Sequence, residues 1–360
     1  MPTLCLNMIV KNESKILKKC FDSIVNYLDY WVICDTGSTD GTQEMIKKYF
    51  KAKNIKGELH QDKWVNFGHN RTLAIQKAYQ KADYIILMDA DFTMNIIDKN
   101  FKNKLLNTSY LIKYNGITDY RVIKIVKGNI KWKYLGVTHE YITTNSRNIK
   151  EKFDYITINH SGLGNNRSNK FKRDIKLLAQ GIKDEPDNFR YHFYLANSYF
   201  DISDFENAMK YYKKRIDFNG WDEEVYLSMY KYALCSKYLK YPEDTIIFNF
   251  LKAFNYRPTR LEALYEVVRY YRIKEDYTSG YKYGILGYYS ATNYPDDILF
   301  INKNIHTYKF IDELAICSFY VNDYKLSLDL NKNILQIYKT NKIDIDIKRI
   351  QKNLSFSNSI

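Results

Sequence analysis

Over the first 165 or so residues, continuous apolar runs alternate with stretches whose apolar positions recur every three to four residues. Thr3 to Val10 is one such run and predicts a buried strand. Ser14 to Leu28 carries Ile16, Leu17, Phe21, Ile24, Val25 and Leu28 at helical spacing, which predicts an amphipathic helix. Tyr30 to Cys34 predicts a second strand, and Thr42 to Phe50 a helix capped by Asp40 or Thr42. A third strand is expected from Ile55 to His60, then a loop around Trp64 and a helix from Arg71 to Lys81. Tyr84 to Met88 is a β-prone run that delivers Asp89-Ala90-Asp91. This alternation predicts a largely parallel, Rossmann-like sheet with ligands at the carboxyl ends of its strands. The acidic clusters at Asp35 and Asp89 fall at those ends.

After residue 165 the pattern becomes helical. Asn169 to Lys183 is amphipathic, and Pro186 opens a helix–turn–helix unit made of Tyr191 to Tyr199 and Phe205 to Tyr212. Similar units begin near Trp221 and Pro258, at spacings in the mid-thirties. That is the period of tetratricopeptide-type pairs, which bury their apolar face only when stacked. A degenerate pair from Asp296 to Tyr338 caps the stack, and the polar tail from Lys342 to Ile360 is expected to fray. The expected organisation is an α/β domain over 1–165 and an all-α tetratricopeptide-like domain over 166–360. Stripes such as Tyr191/Tyr194/Leu195/Tyr199 and Leu264/Val267/Val268/Tyr270 read as repeat core. The concave face of such a stack suits an extended peptide or a homodimer partner.

Composition narrows the partners. At 360 residues, 45% hydrophobic and 27% charged, the chain has the length and balance of a two-domain globular protein. Its 35 tyrosines accompany abundant Lys, Asn and Ile and only 5 prolines, a bias that points to an AT-rich coding sequence rather than a tyrosine-based site. The net charge of +14 favours anionic ligands, nucleotide diphosphates among them. Its basic residues are spread out, with no zinc-finger spacing or RNA-binding signature, so nucleic acid is not an expected partner. Five scattered cysteines argue for a reducing compartment. Met1 to Val10 runs straight into Lys11-Asn12-Glu13 and reads as a strand, not a signal peptide. No run approaches the roughly 18 apolar residues of a membrane span. A cytoplasmic location is expected, the host cytoplasm if the gene is viral.

Asp89-Ala90-Asp91 carries the candidate chemistry. On a strand the two carboxylates would share one face, where burying both without a counter-charge is costly. Where the chain leaves the sheet they can instead share a hard divalent cation with phosphate oxygens. Such a cation neutralises charge that develops on a diphosphate leaving group. A capped turn is the plainer reading of Asp-x-Asp. Asp35 adds a second site: it ends a strand and precedes Thr36-Gly37-Ser38-Thr39-Asp40-Gly41-Thr42, a tight strand-to-helix turn. Gly37 and Gly41 permit the backbone angles, and the helix start offers amides to polar groups. A carboxylate at Asp35 can accept the imide N–H of uracil, or simply serve an N-capped turn.

These segments, in order, resemble family 2 glycosyltransferases with the GT-A fold. The motifs are Leu6-Asn7-Met8-Ile9-Val10-Lys11-Asn12-Glu13, the Asp35–Thr42 turn and Asp89-Ala90-Asp91. Trp64-Val65-Asn66-Phe67-Gly68-His69-Asn70-Arg71, the Trp132/Tyr134/Gly136/His139/Glu140 series and Arg257-Pro258-Thr259-Arg260-Leu261-Glu262-Ala263-Leu264 extend the match to about Tyr271. They are similar to a subset of bacterial peptide S-glycosyltransferases of the sublancin type, which also carry tetratricopeptide-like helices.

The resemblance implies a metal-dependent, inverting transfer from a nucleotide-diphosphate donor, a UDP-sugar, to a protein, peptide or glycan. It implies a donor pocket formed by Val10, Glu13, Asp35, Ser38, Arg71, Asp89, Ala90 and His139, with Asp35 on uracil. Arg71 would approach the diphosphate or base, and Asp89 the ribose or metal. Asp91 would hold Mn²⁺ or Mg²⁺, and His160 is a candidate further ligand or a structural histidine. Glu140 would be the general base, and His139 would orient it or touch a phosphate. Trp132 and Tyr134 either stack on a sugar or pack in the core. Gly162 and Gly164, with Arg167, Lys170 and Arg173, form either a lid or a linker. A repeat scaffold with a non-catalytic nucleotide-binding domain is the alternative. Decay in at least one of Asp35, Asp89, Asp91 and Glu140 would mark it, and all four are present.

Overall fold

The computed structural model describes residues 1–160, 170–290, 293–341 and 346–358. The chain divides into two compact units, Met1–Ser198 and Tyr199–Ile360.

In the first unit β1 (Leu4–Val10), β2 (Tyr30–Asp35), β3 (Gly57–Gln61) and β4 (Tyr84–Leu87) are parallel neighbours in the order β3-β2-β1-β4. The following strands are β5 (Phe92–Ile96), β6 (Ser109–Tyr114), the two-residue β7 (Thr118–Asp119) and β8 (Arg121–Lys127). A separate antiparallel hairpin joins β9 (Lys133–Leu135) to β10 (Tyr141–Thr143), and β11 (Lys150–His160) returns to the main sheet. There the order continues β4-β8-β6-β11-β5, giving eight strands, with antiparallel pairing at β4–β8, β6–β8 and β11–β5. The sheet is thus parallel in its first half and mixed in its second.

Side-chain alternation along β1 builds both faces. Leu4, Leu6 and Met8 join Phe21 and Phe50 on one side, while Cys5 joins Val32, Ile75 and Leu87 on the other. The expected helix from Ser14 to Leu28 is shorter: α1 covers Leu17–Asp22 and a 3₁₀ turn covers Val25–Tyr27. Ser23 breaks it, its hydroxyl donating to the Cys20 carbonyl (2.6 Å) and accepting the Met94 amide (3.0 Å). The next helix, α2 (Thr42–Ala52), starts after Gly41 at φ +84°, with Asp40 accepting the Thr42 amide at 3.1 Å. Helix α3 (Phe67–Lys77) begins earlier than its apolar spacing suggests, because the Asn66 side chain accepts the His69 amide at 2.8 Å.

Helices α4 (Lys170–Asp184) and α5 (Arg190–Asp201) follow. The first unit continues through Ser198, beyond the expected boundary at 165, because these helices pack on the sheet domain. A Cβ on Gly181 would lie 3.1 Å from a Val137 methyl.

The second unit is a succession of helices, each packed on the next: α6 (Phe205–Phe218), α7 (Asp222–Tyr238), α8 (Glu243–Tyr256), α9 (Glu262–Ile273), α10 (Tyr277–Ser290), α11 (Phe310–Tyr320), α12 (Tyr324–Asn341) and α13 (Ile347–Asn358). It is the expected tetratricopeptide-like all-α domain. On α10, Gly284 allows a close crossing, since a Cβ there would meet Leu314 at 2.6 Å. The described part of the expected polar tail, residues 346–358, is mostly helix α13. In α13, Ile350 is fully buried with Tyr308 and Ile334, and Arg349 pairs with Asp312 at 2.6 Å. All five thiols are free and buried. Among the described residues no helix is long and apolar enough to cross a membrane.

Candidate active site

Because β2, β1 and β4 run parallel side by side, the turns after Val10, Asp35 and Leu87 share one sheet edge. Asp35 is 1% exposed. Its Oδ1 accepts the amides of Gly37 (2.9 Å) and Ser38 (2.8 Å) and the Gln43 side-chain N–H (3.0 Å). Gly37 makes this wrap possible at φ +101°. The other oxygen, Oδ2, is buried with no hydrogen-bond partner among the described residues. Leaving a buried acceptor unpaired is costly, so this oxygen is poised for an incoming N–H.

The loop around it is cross-braced. Ser38 Oγ accepts the Asn12 amide and Asn12 Oδ1 accepts the Thr39 amide, both at 2.8 Å. Thr36 donates its amide to the Val10 carbonyl at 2.9 Å. Burial pushes the Asp40 carboxyl up, but hydrogen bonds from Thr42 and Ser14 outweigh it and bring it to about 2. Glu13 moves the other way: burial, then the charges of Asp91, Asp40 and Asp89, push its carboxyl up to about 7. Its Oε2 is likewise buried without a hydrogen-bond partner among the described residues.

At β4 the aspartates separate. The antiparallel register sets His160, the last residue of β11, opposite Phe92. That places His160 Nε2 2.8 Å from Asp91 Oδ2, with the imidazole edge-on to the Phe92 ring at 5.4 Å. Asp89 turns instead to two cations, pairing with Arg71 and, at 3.4 Å, with Lys124. Burial opposes its ionisation, yet Arg71 and Lys124 hold its carboxyl well below the usual range. Burial pulls the Lys124 ammonium down, and Asp89 opposes that shift. Arg71 also reaches Glu140: Nε lies 2.6 Å from Oε1, though the N–H does not point along that line and the attraction is Coulombic. Ala90, between the aspartates, is buried.

The expected metal residues are therefore engaged by different partners. Asp91 and His160 come together, while the Asp89 carboxylate is held by cations. Among the described residues no group of three His, Cys, Asp or Glu side chains is arranged to hold a metal ion.

The Trp64–Arg71 segment explains how Arg71 meets Glu140. Asn70 is fully buried, accepting the Val65 amide at 2.9 Å and donating to the Lys63 carbonyl at 3.0 Å. A Cβ on Gly68 would lie 2.1 Å from the Gly136 carbonyl oxygen, so glycine lets α3 touch the 136–140 loop. The Phe67 amide donates to the Val137 carbonyl at 3.2 Å, and the Tyr134 amide to Thr72 Oγ1 at 2.9 Å.

His139 is engaged from helices α4 and α5. It adopts φ +50°, stacks on Tyr194 at 4.2 Å and sits 3.6 Å from Asp174. Trp132 is core, its indole N–H donating to the Lys127 carbonyl at 2.9 Å. Tyr134 lies beside Arg71, 6.0 Å from the guanidinium carbon. Gly162, Gly164 and Arg167 fall outside the described residues, and Arg173 is engaged with Asp174 at 3.1 Å.

Sequence reasoning missed Lys124, Gln43 and Tyr194. Lys124 had a signal: it is the charged residue inside the apolar stretch Val122–Val126. Tyr194 had none, since its spacing matches repeat core.

Residues 5–172 match the family profile Glycosyl transferase family 2. The SPbeta prophage-derived glycosyltransferase SunS of Bacillus subtilis strain 168 is 28% identical over 235 residues, covering 60% of this chain and 54% of that protein. Glycosyltransferase SunS of Bacillus phage SPbeta matches with the same figures. The chain thus spans about half the length of the curated relatives it matches. Among solved structures, MamA aligns over 49% of this chain and 94% of its own at 12% identity, and the tetratricopeptide protein YrrB over 48% and 80% at 9%. Their TM-scores are 0.37 and 0.34. Sheet order, Asp35 turn and Asp89–Asp91 loop all lie within the span of this chain, residues 5–172, that matches glycosyl transferase family 2.

Proposed function

We propose that the chain is a metal-dependent, inverting glycosyltransferase that moves a sugar from a uridine-diphosphate donor to a peptide, protein or glycan. The observation that carries this reading is one sheet edge bearing both an open, buried carboxylate oxygen at Asp35 and the Asp91–His160 pair. Asp35 Oδ2 would accept the uracil imide N–H. A carboxylate oxygen and an imidazole nitrogen suit Mn²⁺ or Mg²⁺ with phosphate oxygens completing the shell. Asp91 and His160 would hold that ion, which neutralises charge on the diphosphate when bound. Asp89 serves to hold Arg71 and Lys124 in place.

In the reaction the acceptor atom bonds to the anomeric carbon as the bond to the diphosphate oxygen breaks. The acceptor's proton passes to Glu140, and inversion follows from the single displacement. A base so placed contributes about 10²–10⁴-fold. The helical unit is assigned to acceptor binding or self-association. We place the reaction in the cytoplasm, where the five free thiols stay reduced.

The test is hydrolysis of UDP-, GDP- and CMP-linked sugars with Mn²⁺ or EDTA, for wild type and Asp91→Ala. Metal-dependent consumption of a UDP-sugar, lost in Asp91→Ala, is expected. Binding of a donor without its consumption would refute the proposal and favour a scaffold with a non-catalytic nucleotide-binding domain; no binding of any donor would refute both readings.

A further inference from the structure

Glu140 lies between two residues that are both held from the same helix. On one side, the His139 ring stacks on Tyr194 of α5 with centroids 4.2 Å apart and planes within 9°. On the other, Arg190 of α5 covers the Tyr141 ring at 5.2 Å. Arg190 also lies over Tyr194 at 4.9 Å and donates from Nη2 to its hydroxyl at 2.9 Å. Tyr141, Arg190, Tyr194 and His139 therefore form one continuous stack that bridges past Glu140.

Helix α4 adds a second hold. Asp174, 1% exposed, takes His139 Nε2 at 3.6 Å and the Arg173 guanidinium at 3.1 Å. Arg173 in turn covers the Phe67 ring at 5.0 Å, tying α4 to the start of α3, the helix that carries Arg71. Gly181 of α4 sits against Val137.

The backbone needs these holds. His139 has φ +50° and Gly136 has φ +108°, so the loop before Glu140 takes left-handed conformations at both positions. A non-glycine residue keeps such a conformation only where its surroundings over-determine it. Aromatic stacking and cation–π contact are directional forces that can do so.

We propose that α4 and α5 form a positioning clamp for Glu140, in which Tyr194 and Arg190 fix the residues on either side of it. The inference rests on Glu140 being the base of the proposed reaction, and it makes residues 170–198 part of the catalytic unit. Tyr194, Arg190 and Asp174 touch no reacting atom; they act through the 136–141 backbone. A base displaced by about 1 Å loses on the order of 10²-fold in rate.

The test uses the full-length chain with Tyr194→Leu, Arg190→Met and the conservative Tyr194→Phe. Two readouts are taken: hydrogen exchange of the 137–141 amides, and kcat and donor KM for UDP-sugar hydrolysis, water taking the acceptor's place. In Tyr194→Leu and Arg190→Met, exchange should rise at 137–141 and not in β1, β2 or β4. In the same variants kcat should fall roughly 10–100-fold with donor KM held within about twofold. Tyr194→Phe, which keeps the stacked ring, should restore both readouts. Unchanged exchange in both disruptive variants overturns the clamp, and so does faster exchange with wild-type kcat. A wild type that neither binds nor hydrolyses donor counts against the proposed function instead, and the exchange result then decides the clamp alone.

Discussion

Two clusters of the same residue types sit in the two units and are built in opposite ways. In the helical unit Arg260, fully buried, donates to Glu262 at 2.9 Å, to Asp297 at 2.9 Å and to the carbonyls of Leu299 and Phe300 at 3.2 Å. Glu262 also accepts the Asn302 amide at 3.0 Å and contacts His306 at 3.1 Å, while Arg257 binds Asp297 at 2.9 Å. None of the buried side-chain nitrogens and oxygens of Arg257, Arg260, Glu262 and Asp297 lacks a partner. On the sheet edge, Asp35 Oδ2 and Glu13 Oε2 lack one among the described residues, and Asp91 and His160 remain partly exposed. A closed cluster fastens a loop; an open one leaves atoms for a ligand. The Arg257–Leu264 motif therefore belongs to the architecture, and it lies outside the 5–172 span that matches the family.

The sharpest way to break this contrast is Arg260→Met. It strands Glu262 and Asp297 without their central cation and should cost about 3–5 kcal/mol in the helical unit's unfolding transition. Donor affinity should stay the same. A loss below about 1 kcal/mol, read by urea titration, would mean the cluster is not the fastening it looks like. Asp35→Asn tests the open side. It keeps the Oδ1 contacts and presents an N–H₂ where the uracil N–H should bind, so UDP affinity should drop by about 1.5–3 kcal/mol. The helical transition should not move. An unchanged calorimetric affinity would remove the base-recognition role from Asp35.

The smallest effects are in pH. Glu13, raised to about 7, contributes stability that is full below its unfolded value and lost as pH rises through 7. The metal-free first unit should therefore melt higher at pH 6 than at pH 8, and Glu13→Gln should flatten the difference. Glu262 and Asp297 are depressed, Glu262 chiefly by Arg260 against the cost of burial. Their stabilisation is present above the unfolded carboxyl range, near pH 4, and fades as pH falls through the folded values. Opposite slopes in the two transitions, followed by calorimetry, would uphold the contrast. Parallel slopes would erase it.

Strands β1, β2 and β4 were legible because each is a continuous apolar run that ends at a polar or acidic turn, the pattern of a parallel strand covered on both faces. The repeat period was legible for the same kind of reason. What hid was set by contacts between distant residues. Ser23 ends α1 by bonding Met94, far along the chain. The 92–160 strands pair in mixed directions that no local period records. The split between Asp89 and Asp91 depends on Lys124 from β8 and His160 from β11. The 165 boundary followed periodicity, but α4 and α5 are placed by His139 and Val137, and helical spacing cannot report which surface a helix covers.

The most direct test of the central claim is calorimetric binding of UDP to wild type and to Asp91→Ala, with Mn²⁺ and with EDTA. Tight binding is expected only for wild type with Mn²⁺, and weak, metal-independent binding for the variant. Equal affinity in all four titrations would contradict a metal held by Asp91 and His160, and with it the proposed transfer chemistry.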